Sequence, residues 1–110
     1  MDHMNYRMRA LRKALGVTQE EVGAIIGVSN VIVSLYERGL IDGSGYDNVI
    51  YQALYSIRER MVKKYGYWYN SYIDLKASVI EVEIWTDFEG HVPDSVIRTA
   101  KDCAVAFSEI

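Results

Sequence analysis

The stretch Leu11–Gly39, "LRKALGVTQEEVGAIIGVSNVIVSLYERG", decides how this chain is read. Thr18 has the residue type of a helix N-cap, because its hydroxyl can accept from an unpaired amide of the first turn. Glu21 stands three positions later and completes a capping-box pattern. Val22, Ile25 and Ile26 then supply an apolar face, and Gly27 closes the helix. Ser29 is the next cap, opening a helix that runs to about Arg38, with Gly39 as its stop. Two short helices therefore meet through Gly27-Val28-Ser29, and so tight a connection forces a steep crossing. The glycine permits a positive φ that a side chain would resist.

Outward from this pair, Tyr6, Met8, Leu11 and Leu15 recur at roughly helical steps, and Gly16 ends that run. "LIDGSG" (Leu40–Gly45) is a loop. Val49, Ile50, Ala53, Leu54, Ile57 and Met61 return at steps of three and four in a longer helix closed by Gly66. The segment 65–77, rich in Tyr and Trp, reads as irregular or extended. In "SVIEVEIWTDF" (Ser78–Phe88), Ile80, Val82 and Ile84 alternate with Glu81, Glu83 and Trp85, the pattern of a half-buried strand. A last helix follows Pro93, with Asp94 or Ser95 as its cap and Ile97, Ala100, Ala104 and Phe107 as its stripe.

The ordered set Leu11-Arg12, Gly16, Thr18-Gln19-Glu20-Glu21-Val22, Gly27-Val28-Ser29, Val33-Ser34 and Glu37-Arg38-Gly39 resembles the Xre/Cro-type, lambda-repressor-like helix-turn-helix family. The resemblance extends more loosely over about residues 6–65 and implies a compact helical DNA-binding domain that acts as a dimer on a partly symmetric operator. By that likeness, Gln19 faces a phosphate, and Ser29 caps the recognition helix and touches the backbone. Asn30, Val31, Ser34 and Leu35 face the major groove, Ile32 lies at its edge, and Arg38 lies near phosphates. Val33 and Tyr36 point into the core, and Glu37 is structural. The expected fold is mostly α: a helix-turn-helix bundle over residues 1–65, then a small C-terminal α/β appendage over 66–110, of one or two strands and a helix. The appendage is expected to serve dimerisation or partner binding.

A helix in the major groove offers positions i, i+1, i+4 and i+5. Asn30 can read adenine through paired hydrogen bonds, while Val31 and Leu35 can pack only on a thymine methyl. That apolar composition keeps two functions open. One is a repressor-type transcription regulator reading double-stranded DNA as a homodimer. The other is a regulator that grips a second regulatory protein through the same helix.

Half of the 110 residues are apolar and a quarter are charged, which is ordinary for a globular protein. The net charge of −3 hides an asymmetry: residues 1–65 sum to +2 and residues 66–110 to −5. A polyanion therefore prefers the first part. No apolar run approaches the ~20 residues of a membrane span. "MDHMNYRMR" lacks an apolar signal stretch, so a cytoplasmic location is expected.

Enzyme chemistry finds no foothold. Cys103 is the only cysteine, which excludes an intramolecular disulfide and suits a buried structural thiol. His3 and His91 show no metal-ligand spacing, and no cofactor is implied. His91 with Asp87 and Glu89 reads as a solvated loop, and Glu81 with Glu83 as a solvent face. The aromatic run Tyr65–Tyr72 suits core packing or a dimer contact better than stacking on single-stranded bases, because little positive charge accompanies it.

Overall fold

The computed structural model describes residues 3–109 and contains six helices among them. They are α1 (Met4–Leu15), α2 (Gln19–Ile26), α3 (Asn30–Glu37), α4 (Asp47–Tyr65), α5 (Trp68–Glu89) and α6 (Asp94–Ser108). Local chemistry sets the end of α1, at Gly16, and the boundaries of α2 and α3. The Thr18 hydroxyl accepts from the Glu21 amide, and the Glu21 carboxylate accepts in return from the Thr18 amide. Ser29 accepts from the Ile32 amide at 3.4 Å. Gly27 takes the left-handed conformation at φ 80°.

The α2–α3 crossing rests on a second glycine that capping patterns do not reveal. Gly23 is buried in α2, and its carbonyl accepts from both Gly27 and Val28. A Cβ at this position would lie 2.5 Å from the Val28 carbonyl oxygen. Only a residue without a side chain lets the turn fold back so closely on the helix.

Val22, Val33, Tyr36, Ile50, Leu54 and Ile57 form the centre of the core with Met8 and Leu15 of α1. Tyr69 and Ile73 of α5 belong to the same cluster. A second cluster joins Tyr6 and Ala10 of α1 to Ile84 and Trp85 further along α5. The phenol of Tyr6 donates to the Glu89 carboxylate at 2.7 Å, closing that end. Burial first, and then this carboxylate, push the Tyr6 phenol up to about 12.

The strand expected over 78–88 and the extended segment expected over 65–77 are absent from the described residues: Tyr65 ends α4, Gly66 and Tyr67 make the short link, and residues 68–88 lie within the continuous helix α5. The appendage is therefore helical, not α/β. The alternation of Ile80, Val82 and Ile84 misled because α5 packs against α1 and α4 and also against α6, so apolar residues surround it. Its buried and half-buried line runs Tyr69, Ile73, Ala77, Ile80, Ile84, at steps of three and four. The poor helix propensity of Tyr and Trp yields to this burial. Tyr65, Trp68, Tyr69 and Tyr72 contact one another at helical spacing, with centroids 5.6–6.5 Å apart. Tyr69 is core, and its phenol is raised chiefly by burial, with Tyr72 and Tyr65 adding and Arg58 opposing. Tyr65, Tyr67 and Trp68 remain exposed.

No helix among the described residues is long and apolar enough to cross a membrane. Helix α6 has no fully buried residue. Its half-buried edge is Val96, Ile97, Ala100 and Cys103, whereas Ala104 and Phe107 are exposed. Pro93 occupies its cap position, and neither Asp94 nor Ser95 caps it through a side chain.

Candidate nucleic-acid interface

Helix α3 is eight residues long, a rod of about 12 Å. Its inner side is anchored by Val33 and Tyr36, each 1% exposed. The Tyr36 hydroxyl donates to the Asp47 carboxylate at the start of α4. Its outer side opens toward solvent at the N-terminal turn: Ser29 and Asn30 are exposed, and Val31 is 58% exposed. Ile32, Ser34 and Leu35 are half-buried, and Arg38 at the far end is exposed. The Arg38 Nε–H donates to the Ser34 carbonyl at 3.4 Å, which folds the guanidinium along the helix. Asn30, Val31, Ser34 and Leu35 thus lie on one side of α3, away from Val33 and Tyr36.

Among the described residues, Glu37 is the one buried charged residue, 2% exposed. It is met by the Arg12 guanidinium from α1, with Nε–H donating to Oε2 at 2.6 Å and an Nη2–H to Oε1 at 3.1 Å. A further Arg12 N–H reaches the Val17 carbonyl at 2.8 Å. Arg12 Nη1, Nη2 and Nε therefore bind α1, the α1–α2 turn and α3 into one unit. Paired, hydrogen-bonded charges are the form in which a carboxylate survives in a core. The Asn5 amide adds a bond to the Glu37 carbonyl at 3.1 Å.

Gln19 is half-buried at the first position of α2, and its amide donates to Glu37 Oε1 at 3.0 Å. One of its two N–H groups is thus committed inside the protein, and one is left for an outside acceptor. The structural role of Glu37 and the core positions of Val33 and Tyr36 match expectation. Arg12 is the residue whose function local reading missed. Its partner lies 25 positions away, and only the joint occurrence of Arg12 and Glu37 in the family-like pattern hinted at it.

Exposed cations lie elsewhere on α1 and α4. Lys13 near the end of α1 and Arg60, Lys63 and Lys64 in α4 are exposed. Apolar exposure is just as evident: Ile25 is 51% and Leu40 62% exposed, on either side of α3 in the chain. The other sequence candidates scatter. Cys103 is half-buried rather than buried, its sulfur 3.5 Å from the Ser78 hydroxyl. His91 is exposed beside Trp85, and Glu81 accepts from the Trp85 indole at 3.2 Å. No group of three or more potential metal ligands occurs among the described residues.

Residues 8–43, about a third of the chain, match a family model described as helix-turn-helix. No curated protein and no solved structure matches the chain.

Proposed function

We propose, on the premise that residues 8–43 are a helix-turn-helix unit of the Xre/Cro type, that this chain is a transcription regulator that represses by binding double-stranded DNA with the outer side of α3. Two copies engage a partly symmetric operator, and no step of this function requires catalysis. The observation that carries the reading is the disposition of α3. Val33, Tyr36 and Glu37 pin it to the core while Asn30, Val31 and Arg38 stand in solvent. N-terminal residues of a recognition helix are the ones that meet base edges. Asn30 supplies paired hydrogen bonds to adenine, and Val31 and Leu35 pack against thymine methyls. Arg38, Ser29 and the free N–H of Gln19 contact phosphates, which fix position without reading sequence.

A second reading rests on one observation: Val31, Ile25 and Leu40 expose apolar surface around the same helix. Such surface suits a protein partner, a second regulator, as well as a groove.

Selection of DNA sequences by the purified protein at two salt concentrations, with its mass measured in solution, tests the proposal. Enrichment of one A/T-containing motif that weakens steeply with salt supports it, because phosphate contacts release counterions. Asn30→Ala then weakens binding by about 5- to 150-fold, the value of one paired base contact. Absence of any enriched motif, with Leu35→Glu abolishing recovery of a protein partner, favours the second reading instead.

A further inference from the structure

A cleft of about 720 Å³ lies where α1, α4, α5 and α6 come together. Cavities of roughly 300–1,000 Å³ are the size that holds small organic ligands. Met4, Met8 and Leu11 of α1, Ala77 of α5 and Val96 of α6 give it an apolar floor. Five charged side chains reach it: Arg7, Asp47, Arg58, Asp74 and Glu81. Their sum is negative by one, and their hydrogen-bonding capacity is unevenly used. Arg58 is engaged by the Asn70 side chain at 2.9 Å, the Asn70 carbonyl at 3.0 Å and Asp74 at 2.7 Å. Arg7 is only loosely held, 4.0 Å from Glu81, with its side chain 63% exposed. Glu81 and Asp47 each spend one oxygen, on the Trp85 indole and the Tyr36 hydroxyl respectively. Each carboxylate has four acceptor sites, so Asp47 and Glu81 keep room for donors, while the loosely held Arg7 keeps N–H groups that solvent serves.

We propose that this cleft binds a small organic cation, an apolar body bearing one ammonium or amidinium group, as an effector. The apolar floor takes the body, and Asp47 and Glu81 take the charged group. Opposite charges in a partly desolvated cleft attract far more than in water. Asp47 also makes the site one that α3 can sense. The same carboxylate that faces the ligand receives the hydroxyl of Tyr36, a buried residue of α3. A cation drawing on Asp47 shifts that bond, and with it the seating of α3. This coupling rests on the DNA-binding reading given above; ligand binding itself does not.

Cys103 lines the cleft and serves as the reporter. The probe is phenethylammonium, with 2-phenylethanol and 3-phenylpropanoate as matched neutral and anionic compounds. Labelling of Cys103 in the full chain by a fluorescent maleimide, without DNA, is followed at rising probe concentration. The ammonium is expected to slow labelling, by about tenfold at ten times its Kd. The alcohol and the carboxylate leave the rate unchanged. Thr99→Trp, at an exposed position of the cleft wall, and Glu81→Gln each remove the protection while the helical signal persists. Protection by the alcohol equal to that by the ammonium, protection surviving both variants, or no protection by the ammonium overturns the assignment. The coupling is read separately, as a change of about fivefold or more in operator Kd on adding phenethylammonium. A Kd that does not move, in a protein that binds DNA and shows protection, overturns the coupling and leaves the ligand site standing.

Discussion

Removing the Glu37 carboxylate exposes how the helix-turn-helix unit is tied to the rest of the molecule. In Glu37→Ala the Arg12 guanidinium loses two of its three protein acceptors, at 2.6 Å and 3.1 Å, and keeps only the Val17 carbonyl. Its side chain is 11% exposed, so water cannot fully replace what is lost. Gln19 loses the same acceptor but stands half in solvent and recovers a bond there. An uncompensated buried charge costs about 3–5 kcal/mol, and a deleted carboxylate that leaves its arginine behind belongs in that range. A domain of this size has about 5–15 kcal/mol of stability in total, so a population of unfolded chain becomes visible in mild denaturant. Urea unfolding followed by far-ultraviolet circular dichroism gives the loss as a shift of midpoint at constant slope. Arg12→Met with Glu37→Leu removes both charges at once and is expected to lose less than Glu37→Ala alone, because no charge is left stranded. A loss under about 1 kcal/mol for Glu37→Ala, the size of an exposed pair, refutes the reasoning. So does a double variant that loses as much as the two single variants added together.

Three other outcomes follow from particular contacts. Gly23→Ala places a methyl 2.5 Å from the Val28 carbonyl oxygen, so it loses about 1–3 kcal/mol in the same urea assay although alanine is the better helix former; a stabilised variant would show that the turn gives way freely. Tyr6 keeps its proton in the folded chain to about 12 and in the unfolded chain only to about 10, so its contribution is whole below pH 10 and is lost as the pH rises to 12. The stability advantage of the parent over Tyr6→Phe therefore shrinks by about 2 kcal/mol across that window, and an advantage that stays constant contradicts the burial of this phenol. Arg38→Ala weakens all DNA sequences alike and reduces the salt slope of binding by about one, whereas a change of sequence preference in that variant would move Arg38 from phosphate to base.

Helices α2 and α3 and the end of α1 were legible because those boundaries are written locally. Thr18 with Glu21, Ser29, and the glycines at 16, 27 and 39 each announce a boundary through a bond or a φ that only a few residue types supply. The resemblance placed Val33 and Tyr36 inward, and helix spacing put Asn30, Val31, Ser34 and Leu35 on one shared face. Helix α5 announces only its end, at Gly90 with φ 75°. It starts without a side-chain cap, among aromatic residues that favour strands, and its Val82–Ile84 alternation is fortuitous. What makes it a helix is burial by α1 and α4 on one flank and α6 on another, and those contacts join residues that no local window includes together.

The same distinction separates the two halves of the candidate interface. Its outer side follows from helix spacing once the family-like pattern has fixed which positions face inward. The network behind it spans Arg12, Gln19 and Glu37, on three different helices, and it changes what one outward residue can do. Gln19 was expected to offer its amide to a phosphate, yet Glu37 Oε1 already holds one of its N–H groups at 3.0 Å. That bond restricts the side chain of Gln19 before any DNA arrives, which lowers the entropy lost on contact. Glu37 is buried and touches no solvent-facing groove, but it orients both the arginine that fastens α1 to α3 and the glutamine at the head of α2. A change at Glu37 should therefore weaken DNA binding even under conditions where the chain stays folded, through a residue that never meets the nucleic acid.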